Sequence, residues 1–142
     1  MRLLLKRRYT PRGSLGRLYL EERQLCFIQE APKACFGEKQ VCLDEGVYEL
    51  VPLHTEEKGW MIAVGATGII LPKGPKAVLE SHELCPVETY RADGTPMFTR
   101  LAFEKLMEEL TPYWERDEVV ELQIVSQPVP YRLESCREHS YS

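Results

Sequence analysis

Apolar and polar positions alternate with a period of two through most of the first half of the chain and switch to a helical period only near residue 100. Leu3 to Tyr9 reads as a strand. It is followed by the turn Thr10-Pro11-Arg12-Gly13-Ser14, whose proline and glycine supply the backbone angles a reversal needs. Leu15 to Glu21 and Gln24 to Gln29 flank Glu22-Arg23 at the spacing of a tight hairpin, although the turn residues are not the favoured ones. Ala31 to Asp44 shows neither period and is expected to be loop. Gly46 to Val51, Gly59 to Val64 and Gly68 to Leu71 are short apolar runs opened by glycines, as buried strands often are. Pro72 to Asp93, with three prolines and mixed charge, predicts an irregular segment long enough to suggest a purpose.

Phe103, Leu106, Met107, Leu110 and Trp114 then recur at helical spacing, with Arg100, Glu104, Lys105, Glu108 and Glu109 on the opposite face. An amphipathic helix over about 99–110 follows, with Thr99 as N-cap and Pro112 as its stop. Val119 to Val125 reads as a closing strand. The expectation is a mainly β (α+β) fold: a compact six- to seven-stranded sheet or barrel-like single domain over 1–126 with one helix. Residues 127–142 form a polar, extended tail. Phe103, Leu106, Met107 and Leu110 should pack on the sheet, and the core should hold Leu4, Leu18, Leu20, Val47, Ile62, Val64, Ile69, Leu122 and Ile124.

Composition narrows the class. With 44% hydrophobic and 28% charged residues the chain falls outside the disordered range. Its longest apolar runs are far below the roughly 20 residues of a membrane span, and its N-terminus lacks the apolar stretch of a secretory signal. Five cysteines (Cys26, Cys35, Cys42, Cys85 and Cys136) lack paired spacings, which favours reduced thiols in a cytoplasmic setting over a disulfide framework or a zinc site. No phosphate loop, nucleophile elbow, zinc-protease helix or dinucleotide fingerprint occurs, so no cofactor and no metal is assigned.

The net charge of −4 is uneven. Residues 1–17 carry Arg2, Lys6, Arg7, Arg8, Arg12 and Arg17 without an acid, which leaves −10 for the rest. The segment could meet phosphate or an acidic partner. Cations facing water from a first strand is the plainer reading, and the lack of interleaved aromatic residues within it argues against nucleic acid.

Several segments in order are similar to an uncharacterised family of small bacterial and bacteriophage domains, known only as a domain of unknown function. They are the basic first strand, Leu15-Gly16-Arg17-Leu18-Tyr19, Leu25-Cys26-Phe27-Ile28-Gln29-Glu30 and Leu43-Asp44-Glu45-Gly46-Val47-Tyr48, over roughly residues 3–126. Where that family has Gly-Ile-x-Ile-His-x-Gly-Asn, this chain reads Gly68-Ile69-Ile70-Leu71-Pro72-Lys73-Gly74-Pro75, with Pro72 in the histidine position. Ser81-His82-Glu83-Leu84-Cys85 keeps a cysteine where the family has Gly-Cys. The pattern also resembles the active site of L,D-transpeptidases, which implies Cys85 as nucleophile; in place of the missing histidine, His82, three residues before Cys85, and His54, reachable only through the fold, are the candidate bases.

Two functions therefore stand as the main expectations, beside a third and weaker one, a phosphate or nucleic-acid binder acting through residues 2–17, whose sign would be a steep salt dependence. One is a non-catalytic accessory or structural domain that binds protein within a bacterial or phage-type assembly, through Arg2, Arg7 and Arg8 and through tail residues Tyr131 and Leu133, with a protein partner or a second copy. The other is a cysteine-dependent enzyme on peptidoglycan peptides. With Pro72 in the histidine position, Cys85 is expected not to be a competent nucleophile.

Overall fold

The fold starts from a three-stranded meander. β1 (Arg2–Thr10) turns into β2 (Gly13–Leu20), and β2 into β3 (Arg23–Glu30), with antiparallel registers Leu5↔Leu18 and Leu18↔Cys26. At the first turn the Thr10 hydroxyl donates to the Gly13 carbonyl at 2.7 Å and accepts from the Gly13 N–H. Gly13 is required here, because a Cβ would sit 2.8 Å from the Glu30 carbonyl oxygen. This computed structural model describes residues 1–37 and 39–127.

After a 3₁₀ turn (Ala34–Phe36) come β4 (Gly46–Thr55), β5 (Gly59–Val64), β6 (Gly68–Ile70), β7 (Glu83–Val87), the short β8 (Thr89–Tyr90) and β9 (Pro96–Met97), the helix α1 (Thr99–Glu115) and β10 (Glu121–Ser126). Eight strands close into a barrel in the order β1-β10-β4-β5-β6-β7-β3-β2, and β8 and β9 form a separate small sheet. Two pairings are parallel, β1 with β10 and β6 with β7; the other barrel pairings are antiparallel.

Side chains fill an eight-stranded barrel. Leu3, Leu5, Leu18, Ile28, Leu50, Ile62, Ile70, Leu84 and Leu122 are each at most 1% exposed and form one core with Ala102, Phe103, Leu106 and Leu110 of the helix. The helix lies over the barrel end where β3 begins and β7 finishes. Arg23 pairs with Glu109 through two hydrogen bonds, Lys105 reaches Glu88, and the Trp114 indole N–H donates to the Leu50 carbonyl at 3.1 Å.

The mainly β architecture expected from the sequence is what the structure has, with one α-helix among the described residues. The barrel has eight strands, beside a separate two-stranded sheet, where six or seven strands were expected. The details differ in three further places. Glu83–Val87, inside the segment read as irregular, is a fully buried strand between β6 and β3. The helix runs past Pro112 to Glu115, because Tyr113 and Trp114 pack on the core and the indole bond anchors the last turn. Thr99 is not the N-cap: Phe98 holds that place in the left-handed region (φ 57°), and the Thr99 hydroxyl donates instead to the Lys73 carbonyl at 2.7 Å.

Of the expected core, Leu18, Ile62, Val64, Leu122 and Ile124 are buried, and Leu20 is half-buried against it. Leu4 and Ile69 are only half-buried, and Val47 is exposed; they stand on the outward phase of strands whose inward residues are Leu3, Leu5, Ile70 and Leu50. The polar tail lies outside the described residues, apart from Gln127, whose N–H donates to the Arg7 carbonyl at 2.8 Å. If the helix closes the barrel end as described, Leu106→Ala should lower unfolding free energy by about 2–5 kcal/mol in a denaturant titration, and Glu104→Ala by no more than about 0.5 kcal/mol.

Candidate functional site

The opposite barrel end is held by a buried charge. β1 points Leu3, Leu5, Arg7 and Tyr9 inward in strict alternation, so one of the six N-terminal cations is inside the barrel, with no exposed surface. Arg7 Nε and Nη2 donate to the two Glu30 carboxylate oxygens at 2.9 and 2.6 Å, a two-pronged pair in which both side chains are fully buried. Nη1 donates to the Leu43 carbonyl at 2.7 Å and to the Tyr9 hydroxyl at 3.4 Å. Burial pushes the Glu30 carboxyl up, and Arg7 opposes that rise. The same burial is the largest influence on the guanidinium and acts to lower it, but the charge of Glu30 and the hydrogen bonds to Glu30 and Tyr9 together outweigh it and hold Arg7 above its ordinary value. Arg7 is therefore not a partner-facing residue; it ties the 31–45 connection to the barrel floor through Leu43.

Cys85, expected as the one nucleophile, is 3% exposed on β7. It lies under a clasp in which Lys73 Nζ donates to Glu83 Oε1 at 2.6 Å and to the Val78 carbonyl, while the Glu80 N–H donates to the same carboxylate oxygen. Burial pushes its thiol up, with the Lys73 backbone N–H and ammonium pulling weakly the other way. Cys85 lines a cavity of about 400 Å³ with Gln29, Pro32 and Lys73.

His82 lines a different cavity, of about 520 Å³, beside Arg7, Tyr9 and Cys42. Its backbone is in the left-handed region (φ 65°), bonded to Val41 and Ile69, and its Nδ1 is 2.8 Å from the Thr67 hydroxyl. His54 stands exposed at the β4–β5 hairpin, edge-on to Trp60 at 4.9 Å. The structure does not bring Cys85 together with either histidine. Cys26, Cys42 and Cys85 are free thiols; Cys35 is not among them, so the expectation of reduced cysteines extends only to those three.

A second group of residues does converge, on the outer face of β1, β2 and β3. Lys6 and Arg8 take the outward phase that Arg7 leaves, and the register sets Lys6 directly opposite Arg17 and Arg17 opposite Phe27. Lys6 Nζ lies 5.2 Å from the centre of the Tyr19 ring. Phe27 meets Tyr90 of β8 with ring centres 5.4 Å apart and planes tilted by 59°. Lys6, Arg8, Arg17, Phe27 and Tyr90, with Gly16 and Gln127, line a recess of about 250 Å³. The Tyr90 hydroxyl is buried without a hydrogen-bond partner among the described residues, and burial beside Cys85 and Cys26 pushes it up to about 12.

Among the described residues no acid pairs with Lys6, Arg8 or Arg17, whereas Arg2 pairs with Glu121 at 3.1 Å. Tyr131 and Leu133 lie outside the described residues. The aromatic neighbours of the outward cations, Tyr19, Phe27 and Tyr90, come from later strands. Reading residues 1–17 alone therefore could not find them; the pairing of Phe27 with Arg17 through the hairpin was the available signal.

No family model, curated protein or solved structure matches this chain. Among the described residues no group of three or more histidine, cysteine or acidic side chains is placed to hold a metal, and no helix is long and apolar enough to cross a membrane.

The Arg7–Glu30 geometry has a testable consequence. Arg7→Met alone should cost about 3–5 kcal/mol by stranding the buried Glu30, while adding Glu30→Leu should recover most of that loss in the same denaturant titration.

Proposed function

We propose that this chain is a non-catalytic accessory domain that acts by binding. The observation that carries this reading is the placement of Cys85. It is buried, its thiol is pushed up by desolvation, and both candidate bases stand elsewhere, one on a separate cavity and one at a hairpin tip. A thiolate nucleophile needs a lowered pKa, an adjacent base and open access; burial raises the Cys85 thiol, neither histidine lines its cavity, and the side chain itself is nearly covered. On this reading the resemblance to L,D-transpeptidases carries no chemistry in this chain. A place in a bacterial or phage-type assembly remains part of the proposal, resting on the order of motifs quoted above.

Alkylation kinetics provide the test. A raised thiol keeps its protonated form through neutral pH, so the iodoacetamide rate at Cys85 should stay low up to about pH 8.5 and climb only above it. Unfolding in urea should remove the protection. Rapid modification of Cys85 in folded protein near pH 7, with loss of peptidoglycan peptide cleavage or exchange in Cys85→Ala, would instead establish the enzyme.

A further inference from the structure

The outer face of β1–β3 collects an unusual set of side chains. A closed barrel has no free strand edge, so a peptide cannot join it by adding a strand, and a ligand of the barrel must lie on a face or at an end. One end is covered by α1, and the other is crossed by the Arg7 network and the 31–45 connection, where the cavity of about 520 Å³ has, among the described residues, no aromatic side chain but Tyr9 and the His82 ring on its wall. On the β1–β3 face the register sets Lys6 and Arg17 directly across from each other. Like charges opposite one another on a sheet destabilise it, and no acid among the described residues relieves them. Arg8 adds a third exposed cation from the next outward position of the same strand. Beside them stand Tyr19, Phe27 and Tyr90, half-buried, with a recess of about 250 Å³ between the cations and the last two rings.

We propose that this face binds single-stranded nucleic acid, with backbone phosphates on Lys6, Arg8 and Arg17 and a base against the Phe27–Tyr90 pair. The inference rests on the reading of the chain as a binding domain and names its ligand class. Phosphate supplies the negative charge that the Lys6–Arg17 pairing lacks, and the recess with its rings offers an unpaired base an apolar surface. An acidic protein would satisfy the cations but leave the rings and recess unused. A duplex is disfavoured because its bases are stacked away and α1, the one helix among the described residues, carries Glu104, Glu108, Glu109 and Glu115. The whole chain is acidic, so binding is confined to this face and should respond sharply to charges on it.

The experiment is fluorescence anisotropy of full-length protein with a labelled 15-nucleotide oligothymidylate, repeated across salt concentrations and in competition with poly-L-glutamate. Three phosphate contacts predict a log–log salt slope of about −2. Arg8→Ala/Arg17→Ala, both at exposed positions, should weaken binding about tenfold or more and bring the slope to about −0.7, while Arg116→Ala, away from the face, should change neither. Competition by poly-L-glutamate as effective as that by unlabelled oligothymidylate would overturn the proposal in favour of an acidic protein, as would equal binding by the double variant. No binding at low salt would likewise overturn it. None of these results would alter Cys85 alkylation, so failure of the ligand assignment is distinguishable from failure of the binding-domain reading.

Discussion

One buried ion pair sets the lower half of this barrel. Arg7 and Glu30 sit inside, fully removed from water, and a pair so placed is tolerable only because nearly every donor it presents is used: two on the carboxylate, one on Leu43, one shared with Tyr9. That requirement propagates. Glu30 must reach inward at the end of β3, which brings Gly13 against its carbonyl and leaves no room there for a side chain. Leu43 must offer its carbonyl, which draws the long 31–45 connection across the barrel end. Cys42 and His82 become walls of the resulting cavity and not members of a shared catalytic pair with Cys85.

The same alternation that sends Arg7 in sends Lys6 and Arg8 out. A strand has only two faces, so a run of three consecutive cations must split between them. The split gives the chain one internal charge that organises loops and two external charges that no acid pairs with among the described residues. Pairing with β2 then places Arg17 beside Lys6, and pairing with β3 brings Phe27 alongside. The ligand face is thus a consequence of register; the sequence neighbours of the cations supply only part of it. Cys85 belongs to a different layer: β7 is buried along its length, and the Lys73–Glu83 clasp closes over its outer side.

Much of the scaffold was legible in the sequence because periodicity reports local surfaces. The hairpins, the glycine-opened strands and the helical spacing of Phe103, Leu106 and Leu110 all reflect one face being buried. Phase was harder to read. Leu3, Leu4 and Leu5 fit either phase of β1, and Lys6, Arg7 and Arg8 put a cation on both, so neither phase was free of an inward charge. Glu83–Val87 was hidden by Pro86, which sits in a pairing strand opposite Ile28, and by charges at its start. The aromatic half of the ligand face was hidden because its members are brought together only by strand pairing and by the small β8–β9 sheet.

The central claim is that β1 divides its cations, with Arg7 inside and its neighbours outside. Arginine modification by phenylglyoxal, followed residue by residue in the mass spectrometer, tests it on the folded protein. The account predicts that Arg8 and Arg17 are modified readily while Arg7 stays unmodified until denaturant unfolds the barrel. Modification of Arg7 at the rate of Arg8 in native protein would contradict it.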